Sequence, residues 1–384
     1  MFSQLKLPAT VSGAAILFGV LLHGRGNGDP AELQLLGTPV TYSEPPMESA
    51  MDLPHLVLAF YYPWYGTPEG LGGKSKGRQF VHWAGVDTNA KTIGVSAHYP
   101  RGGPYDSYDP SVLNRHCKLT KAAGIDGLIV SWWGKGTFED QAVPPLLEAC
   151  AKAGIHAAIY YEQVAKPGTP QSVAAEIMDL ARRFGVHSAY LKVTRGGTAR
   201  PVVFVYGRSI QQLGVEKWKA VQDTIAREDG PRPLLIGDDF SARAVEVFDG
   251  AHSYGPAADL ATAAKKGDST QKWAKRAMPW WAACGEGGTA ARKAGKIACV
   301  TVFPGYDDTK VRKPGLVVER EHGTLYEDLW REAVAAQPDW VLITSFNEWH
   351  EGSEIEPSEE FGDKYINMTA EWAATFKAER AAPR

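Results

Sequence analysis

The 384-residue chain is 44% hydrophobic and 22% charged, a globular composition long enough for one large domain or two of ordinary size. Its 41 basic and 44 acidic residues give a net charge of -3, and no Lys/Arg cluster forms a nucleic-acid arm, which excludes nucleic acid as a partner. Cys117, Cys150, Cys284 and Cys299 are widely spaced with no Cys-x-x-Cys pair, which excludes a structural zinc site and any need for a disulfide scaffold.

The first segment, Met1 to Leu22, carries one cation, Lys6, followed by the apolar run Val11–Leu22, and the first acidic residue is Asp29. A short basic start and roughly 12 apolar residues fit the core of a signal peptide better than a bilayer span of about 20. No clear Ala-x-Ala cleavage site follows, so an uncleaved anchor and a buried first helix stay open beside it. Residues 1–26 are read as signal peptide or anchor and 27–54, rich in Pro and Gly, as a linking arm. An exported chain is expected, periplasmic, secreted or tethered to a membrane, and monomeric.

From Leu56 short apolar runs recur: Leu56–Tyr62, Gly127–Trp133, Ala157–Glu162, Val202–Tyr206, Leu234–Gly237, Ala251–Tyr254, Ala298–Phe303 and Trp340–Phe346. They are apolar on both faces, as parallel strands covered by helices must be. Helical stretches lie between them. Asp109-Pro110 reads as N-cap and first residue of a helix running to Gly124. Thr324-Leu-Tyr-Glu327 reads as a capping box opening a helix that stops before Pro338, and 363–382 reads as the last helix. Eight such runs over residues 55–384 predict a single (β/α)8 barrel with enlarged βα loops. The competing open doubly wound sheet lacks a GxGxxG or Walker-type loop.

A barrel carries its chemistry at the carboxyl ends of its strands. Those ends are aromatic here: Tyr61-Tyr-Pro-Trp-Tyr65, Ser131-Trp-Trp133, Tyr160-Tyr-Glu162, His252-Ser-Tyr254. Twelve Trp and 15 Tyr suit a cleft that stacks on sugar rings, or equally a large aromatic core. Carboxylates beside them are harder to assign to packing, because a Glu after a buried strand must be paired or used. Glu348 and Glu351 stand three residues apart where the last run turns into its loop. A compact turn aims both at one cleft, which is what glycoside hydrolysis requires of its acid and its nucleophile or base. The same spacing also occurs as solvated charge on exposed helices. His82 and His350 have no companion at metal-ligand spacing, so neither metal nor cofactor is expected.

The segment Thr344-Ser-Phe-Asn-Glu-Trp-His-Glu-Gly-Ser-Glu-Ile-Glu356 resembles the signature of glycoside hydrolase family 99, the endo-α-1,2-mannosidases and endo-α-1,2-mannanases. Phe60-Tyr-Tyr-Pro-Trp-Tyr-Gly66 with His82-Trp83, Gly103-Pro-Tyr-Asp-Ser-Tyr-Asp-Pro110, Ser131-Trp132 and Pro304-Gly-Tyr-Asp-Asp-Thr309 with Arg312 follow in the family's order. The resemblance implies a metal-free barrel enzyme cleaving α-mannosidic bonds within a chain with retention. It implies Glu348 as the base that deprotonates the substrate's own 2-hydroxyl, giving a 1,2-anhydro sugar, and Glu351 as the acid that then activates water. A double displacement with one of the pair as nucleophile is the mechanistic alternative.

Tyr62, Trp132, Tyr254, Arg312 and Asn347 match residues expected around the two sugars on the non-reducing side, although Arg312 reads equally as a surface ion pair. Trp64, His82, Trp83, Trp133, Glu162, Tyr306, Trp349 and His350 complete the set of substrate-binding candidates. Two segments depart from the family pattern: Gly70–Gln79 is longer and more basic, and Val205-Tyr-Gly-Arg-Ser209 replaces a Tyr-Asp-Ser type sequence. A carbohydrate-binding protein without hydrolysis, and a glycosyltransferase-like barrel, are the readings from other classes. An intact Glu pair speaks against the first, and the lack of a phosphate-cradling Gly loop against the second.

Overall fold

The computed structural model describes residues 55–381. The expectations for a signal peptide, anchor and arm fall on residues 1–54 and lie outside this range. Among the described residues no helix is long and apolar enough to cross a membrane.

Eight parallel strands close on themselves: β1 (Leu56–Tyr61), β2 (Gly127–Trp132), β3 (His156–Tyr161), β4 (Thr198–Val205), β5 (Leu234–Gly237), β6 (Gly250–Ala251), β7 (Ile297–Val302) and β8 (Trp340–Ile343). Neighbours pair in sequence order, β8 pairs β1, and the circle is complete. At the carboxyl ends, where the site lies, Trp132 stands opposite Tyr161 and Tyr161 opposite Val205. The connecting helices are α1 (Pro110–Ala122), α2 (Phe138–Ala153), α3 (Pro170–Arg183), α4 (Val215–Ile225), α5 (Ala242–Val247), α6 (Thr270–Ala282) and α7 (Thr324–Ala336), with α8 (Lys364–Ala381) closing the ring. This is the (β/α)8 barrel that the alternation of apolar runs and helical stretches predicts.

Strand geometry sorts the side chains. Leu56, Leu58, Phe60, Ile129, Ala158, Tyr160, Phe204, Ile236 and Leu342 belong to one buried cluster inside the barrel. Val57, Ala59, Tyr61, Leu128, Val130, Trp132, Ile159 and Tyr161 belong to a second, between strands and helices. Successive residues point to opposite faces and both faces are dry, which is why the runs show no polar alternation.

At the amino-terminal end three aspartates, each just before a strand, repeat one device. Asp126, Asp249 and Asp339 accept the backbone N–H of Val57, Leu235 and Ala298, each at 2.9 Å. Each satisfies a donor at the start of the adjacent strand, where the ladder supplies no partner. Arg292 holds Asp339 in place through a two-pronged contact.

Helix starts follow the sequence reading at Asp109, whose carboxylate accepts from Ser111 N at 2.8 Å. They depart from it at α7. Gly323, at φ 96°, is the N-cap, Thr324 already lies inside the helix, and no side chain caps the end. Glu327 instead pairs with Arg331 one turn on, at 2.6 Å. The tight turn Glu321–Gly323 runs directly into α7, so the expected capping box does not form.

Replacing Asp339 by Ala should therefore cost about 2 kcal/mol of stability in urea unfolding, because it orphans a strand N–H and a half-buried Arg. Activity at 25 °C should be unchanged, since the residue lies at the end of the barrel away from the carboxyl ends of the strands.

Candidate active site

β8 ends at Ile343, and Thr344–Glu356 forms a closed loop above the barrel. Ser345 N–H donates to Ser353 O at 2.8 Å and Ile355 N–H to Ser345 O at 2.9 Å. Phe346 N–H donates to Phe60 O at 2.8 Å and Glu356 N–H to Phe346 O at 2.9 Å. Within the loop Glu348 N–H donates to Ser345 Oγ at 2.7 Å, and Glu351 N–H to Glu348 O at 3.3 Å. The turn carrying Glu348 and Glu351 is thus compact, and their charges interact.

The two carboxyls have different surroundings. Glu348 is 2% exposed, and its Oε1 accepts from His350 N–H at 3.0 Å. Burial, then the charge of Glu351, pushes its pKa well above the carboxylate range. Glu351 is more open and accepts twice, from Arg312 Nη2 at 3.0 Å and from the Tyr254 hydroxyl at 2.9 Å. Arg312 also reaches Asp308 and the Tyr306 hydroxyl, at 2.6 and 2.7 Å. Both readings of Arg312 therefore hold at once: it is an ion pair, and its partner is a catalytic candidate.

A third carboxyl, Glu162 at the end of β3, faces the same space. It accepts from Ser131 Oγ at 2.8 Å and Arg208 Nη2 at 3.3 Å, yet burial raises its pKa to about 7. Burial, then the nearby carboxylates, raise the pKa of both the Tyr62 and Tyr254 phenols, which stay neutral. Trp64 stacks on His82 at 4.6 Å and lies 5.7 Å from the His350 ring and 6.2 Å from Trp133. The Arg208 guanidinium sits 4.7 Å over Trp133 and 5.2 Å over Tyr206. The result is an aromatic cleft with three carboxyls and two guanidiniums.

Beneath it lies a buried network. The Glu356 carboxylate accepts from the Tyr105 hydroxyl at 2.8 Å and Trp349 Nε1 at 3.1 Å, and lies 2.8 Å from His116 Nε2. The Tyr105 hydroxyl in turn receives Asn347 Nδ2 at 3.1 Å. Asn347 clamps the Tyr62 peptide from both sides, accepting its N–H at 2.8 Å and donating to its O at 3.0 Å.

The structure brings Tyr62, Trp64, His82, Trp133, Glu162, Tyr254, Tyr306, Arg312, His350, Glu348 and Glu351 to one region. Four candidates it places elsewhere. Trp132 ends β2 on the outer face and donates to Asp140 at 2.7 Å, so the ring on the cleft is that of Trp133. Trp83 is fully buried behind Tyr65, its ring 4.0 Å away. Asn347 and Trp349 are 0% exposed and serve the network below the cleft rather than its surface. Arg208, Tyr206, His116 and Glu356 were not singled out by sequence. Arg208 had a signal, lying in a segment that departs from the family pattern, whereas His116 looks like any residue on a helix face.

The chain matches the sequence model named Glycosyl hydrolase family 99 over residues 52–376. It is similar to the rat glycoprotein endo-alpha-1,2-mannosidase, 27% identical over 89% of this chain and 79% of that one. It is equally similar to the human glycoprotein endo-alpha-1,2-mannosidase-like protein, 27% identical over 84% of this chain and 76% of the relative. Among solved structures, a GH99 endo-alpha-mannosidase from Bacteroides thetaiotaomicron in complex with bis-tris-propane superposes with a TM-score of 0.67. It is 26% identical, covering 87% of this chain and all of that one.

The Glu162 carboxyl binds its proton more tightly folded than unfolded, so its contribution is full below about pH 4.5 and is lost as pH rises through about 7. Between pH 5 and pH 8 the wild type should lose about 2 kcal/mol from this residue, and Glu162→Gln should flatten that decline in denaturant titrations at the two pH values.

Proposed function

The chain belongs to glycosyl hydrolase family 99 and is a glycosidase; from that membership and the cleft we propose that it cuts internal α-1,2-linked mannosyl, or glucosyl-mannosyl, bonds in mannan or N-glycan-type chains. The observation that carries the reading is the pair Glu348 and Glu351 on one compact loop, one buried and one held by Arg312 and Tyr254. We also propose export of the chain, on the composition of residues 1–26.

In the proposed route Glu348 takes the proton of the substrate's 2-hydroxyl as O2 attacks C1. The C1–O bond to the leaving sugar breaks, and Glu351 protonates the departing oxygen. In a manno sugar O2 is axial and trans to an α leaving group, so this attack is in line. Glu351 then takes a proton from water as the water oxygen opens the three-membered ring at C1, and Glu348 returns its proton to O2. Two inversions at C1 give net retention.

Burial by itself favours the protonated form of Glu348, the opposite of what a base needs. Glu351, by contrast, accepts from Arg312 and from the Tyr254 hydroxyl. Substrate reverses this: its 2-hydroxyl donates to Glu348, and its other hydroxyls compete for Arg312. One proton then passes from the first carboxyl to the second as the sugar docks. The raised pKa of Glu348 favours a second reading, in which Glu348 is the acid and Glu351 the base or nucleophile.

Wild type, Glu348→Gln and Glu351→Gln should be compared on α-1,2-branched mannan and on α-1,2-mannobiosyl reporters, with products followed by NMR. The expected result is α-configured product first and a loss of about 10³-fold or more in both variants on the unactivated substrate. Binding of mannan without cleavage by wild type would overturn the hydrolase reading in favour of a binding protein. With fluoride as leaving group, which needs little protonation, Glu351→Gln should recover the first step, seen as a burst of fluoride release and as turnover when azide replaces water, while Glu348→Gln stays inactive. Recovery in Glu348→Gln alone exchanges the two roles.

A further inference from the structure

A fourth carboxyl stands at a strand end beside the three of the cleft. Asp238 directly follows β5, and its own N–H donates to Val205 O at 2.9 Å, at the end of β4. Its two oxygens divide between the neighbours on either side. Oδ1 accepts from Tyr254 N–H at 3.3 Å, just beyond β6, and Oδ2 from Gly207 N–H at 3.2 Å, just beyond β4. One half-buried side chain thus ties together the segments that follow β4 and β6, across the end of β5.

The Tyr254 arm leads straight to the chemistry. The Tyr254 hydroxyl donates to Glu351 Oε2 at 2.9 Å. Its carbonyl accepts from the hydroxyl of Thr344, the residue that opens the loop carrying Glu348 and Glu351. The Tyr254 backbone is therefore fixed at its N–H by Asp238 and at its C=O by that loop, which leaves the phenol little freedom in how it meets Glu351. A phenol that donates to a carboxyl oxygen fixes how the carboxyl is turned, and the orientation of a reacting group is a direct contribution to rate.

The place is a costly one for a carboxylate. Burial pushes Asp238 up to about 7, and the N–H groups of Gly207 and Tyr254 pull in the other direction. The side chain nonetheless has to be an acid to do this work. Two donors face its two oxygens, whereas the amide of Asn offers one acceptor and sets an NH2 group against the other N–H. An isosteric replacement therefore removes one of the two ties while keeping size and shape.

We propose that Asp238 is a positioning residue of the reaction: by holding the Tyr254 backbone it sets the hydrogen bond from the Tyr254 hydroxyl to Glu351. It acts through Tyr254 rather than on the sugar. The inference rests on the hydrolase reading and on Glu351 as one of the two reacting carboxyls, and it holds whichever of the two roles Glu351 takes.

A double-mutant cycle on the α-1,2-mannobiosyl reporter tests this. Asp238→Asn should lower kcat about tenfold and change KM by less than about twofold, since the defect is in orienting a reacting group and not in binding sugar. Tyr254→Phe should lower kcat by at least as much. The double variant should then stay within about twofold of Tyr254→Phe alone, because Asp238 has nothing left to position once the hydroxyl is gone. A residue that merely supports the fold would multiply its loss onto that of Tyr254→Phe. Multiplied losses, an unchanged kcat in Asp238→Asn, or an effect on KM alone overturns the proposal while leaving the hydrolase reading intact. A wild type that cleaves nothing defeats the hydrolase reading, and the proposal with it. Should Asp238→Asn fail to fold in urea titrations, Asp238→Glu enters the same cycle, since it keeps the charge but moves the oxygens by one methylene. A kcat loss of about threefold should then appear in the wild-type background and vanish in the Tyr254→Phe background, and a loss kept in both, or absent from both, overturns the proposal.

Discussion

The arrangement of the cleft depends on one buried carboxylate, Glu356. It gathers Tyr105, Trp349 and His116 beneath the site, and Tyr105 passes the constraint to Asn347. Asn347 fixes the peptide of Tyr62, and the Tyr65 hydroxyl accepts from Trp349 N–H at 3.1 Å while donating to Asn347 O at 3.0 Å. The backbone on either side of Glu348 is therefore clamped from below. Breaking a buried charged network of this kind typically costs about 3–5 kcal/mol, because it leaves buried polar groups without a charged partner. The floor of the cleft is held in place by a buried, hydrogen-bonded polar layer.

Above that layer the electrostatic problem is an excess of negative charge. Glu162, Glu348 and Glu351 converge, and Arg208 and Arg312 oppose them. The cleft resolves this by burial. Glu348 and Glu162 are driven toward the neutral form, so the site does not hold three anions at once. Burial and the neighbouring carboxylates raise the Tyr62 and Tyr254 phenols further, and the Tyr254 hydroxyl donates to Glu351. The same burial that stores a proton on Glu348 leaves it responsive to an incoming hydroxyl.

Much of this was legible in the sequence, for a physical reason. A strand dry on both faces must be an apolar run, and eight such runs with helical stretches between them admit few architectures. The Glu pair was legible because carboxylates directly after such a run have no cheap alternative. Side-chain direction at the strand end was not. Trp132 and Trp133 are chemically the same, and only the register of β2 decides which faces the cleft. Trp83, Asn347 and Trp349 sit in cleft-forming segments but turn inward, since hydrogen bonds from distant loops hold them there. The capping box at Thr324 matched a local pattern that the preceding turn overrides. Arg208 and His116 acquire meaning only through partners 46 and 240 positions away in sequence.

Both carboxyls of the proposed reaction ride on one closed loop, Thr344–Glu356, rather than on two strands. In most barrel sites the distance between acid and base is a property of the whole barrel and changes as its strands shift. Here it belongs to a cassette stitched shut by its own backbone. Drift in the barrel moves the pair as a unit, and substitutions elsewhere on the rim can reshape what the cleft accepts without retuning the spacing of its chemistry. A segment such as Tyr206–Ser209, where β4 passes into a short helix, is then free to diverge while the reacting geometry is inherited intact.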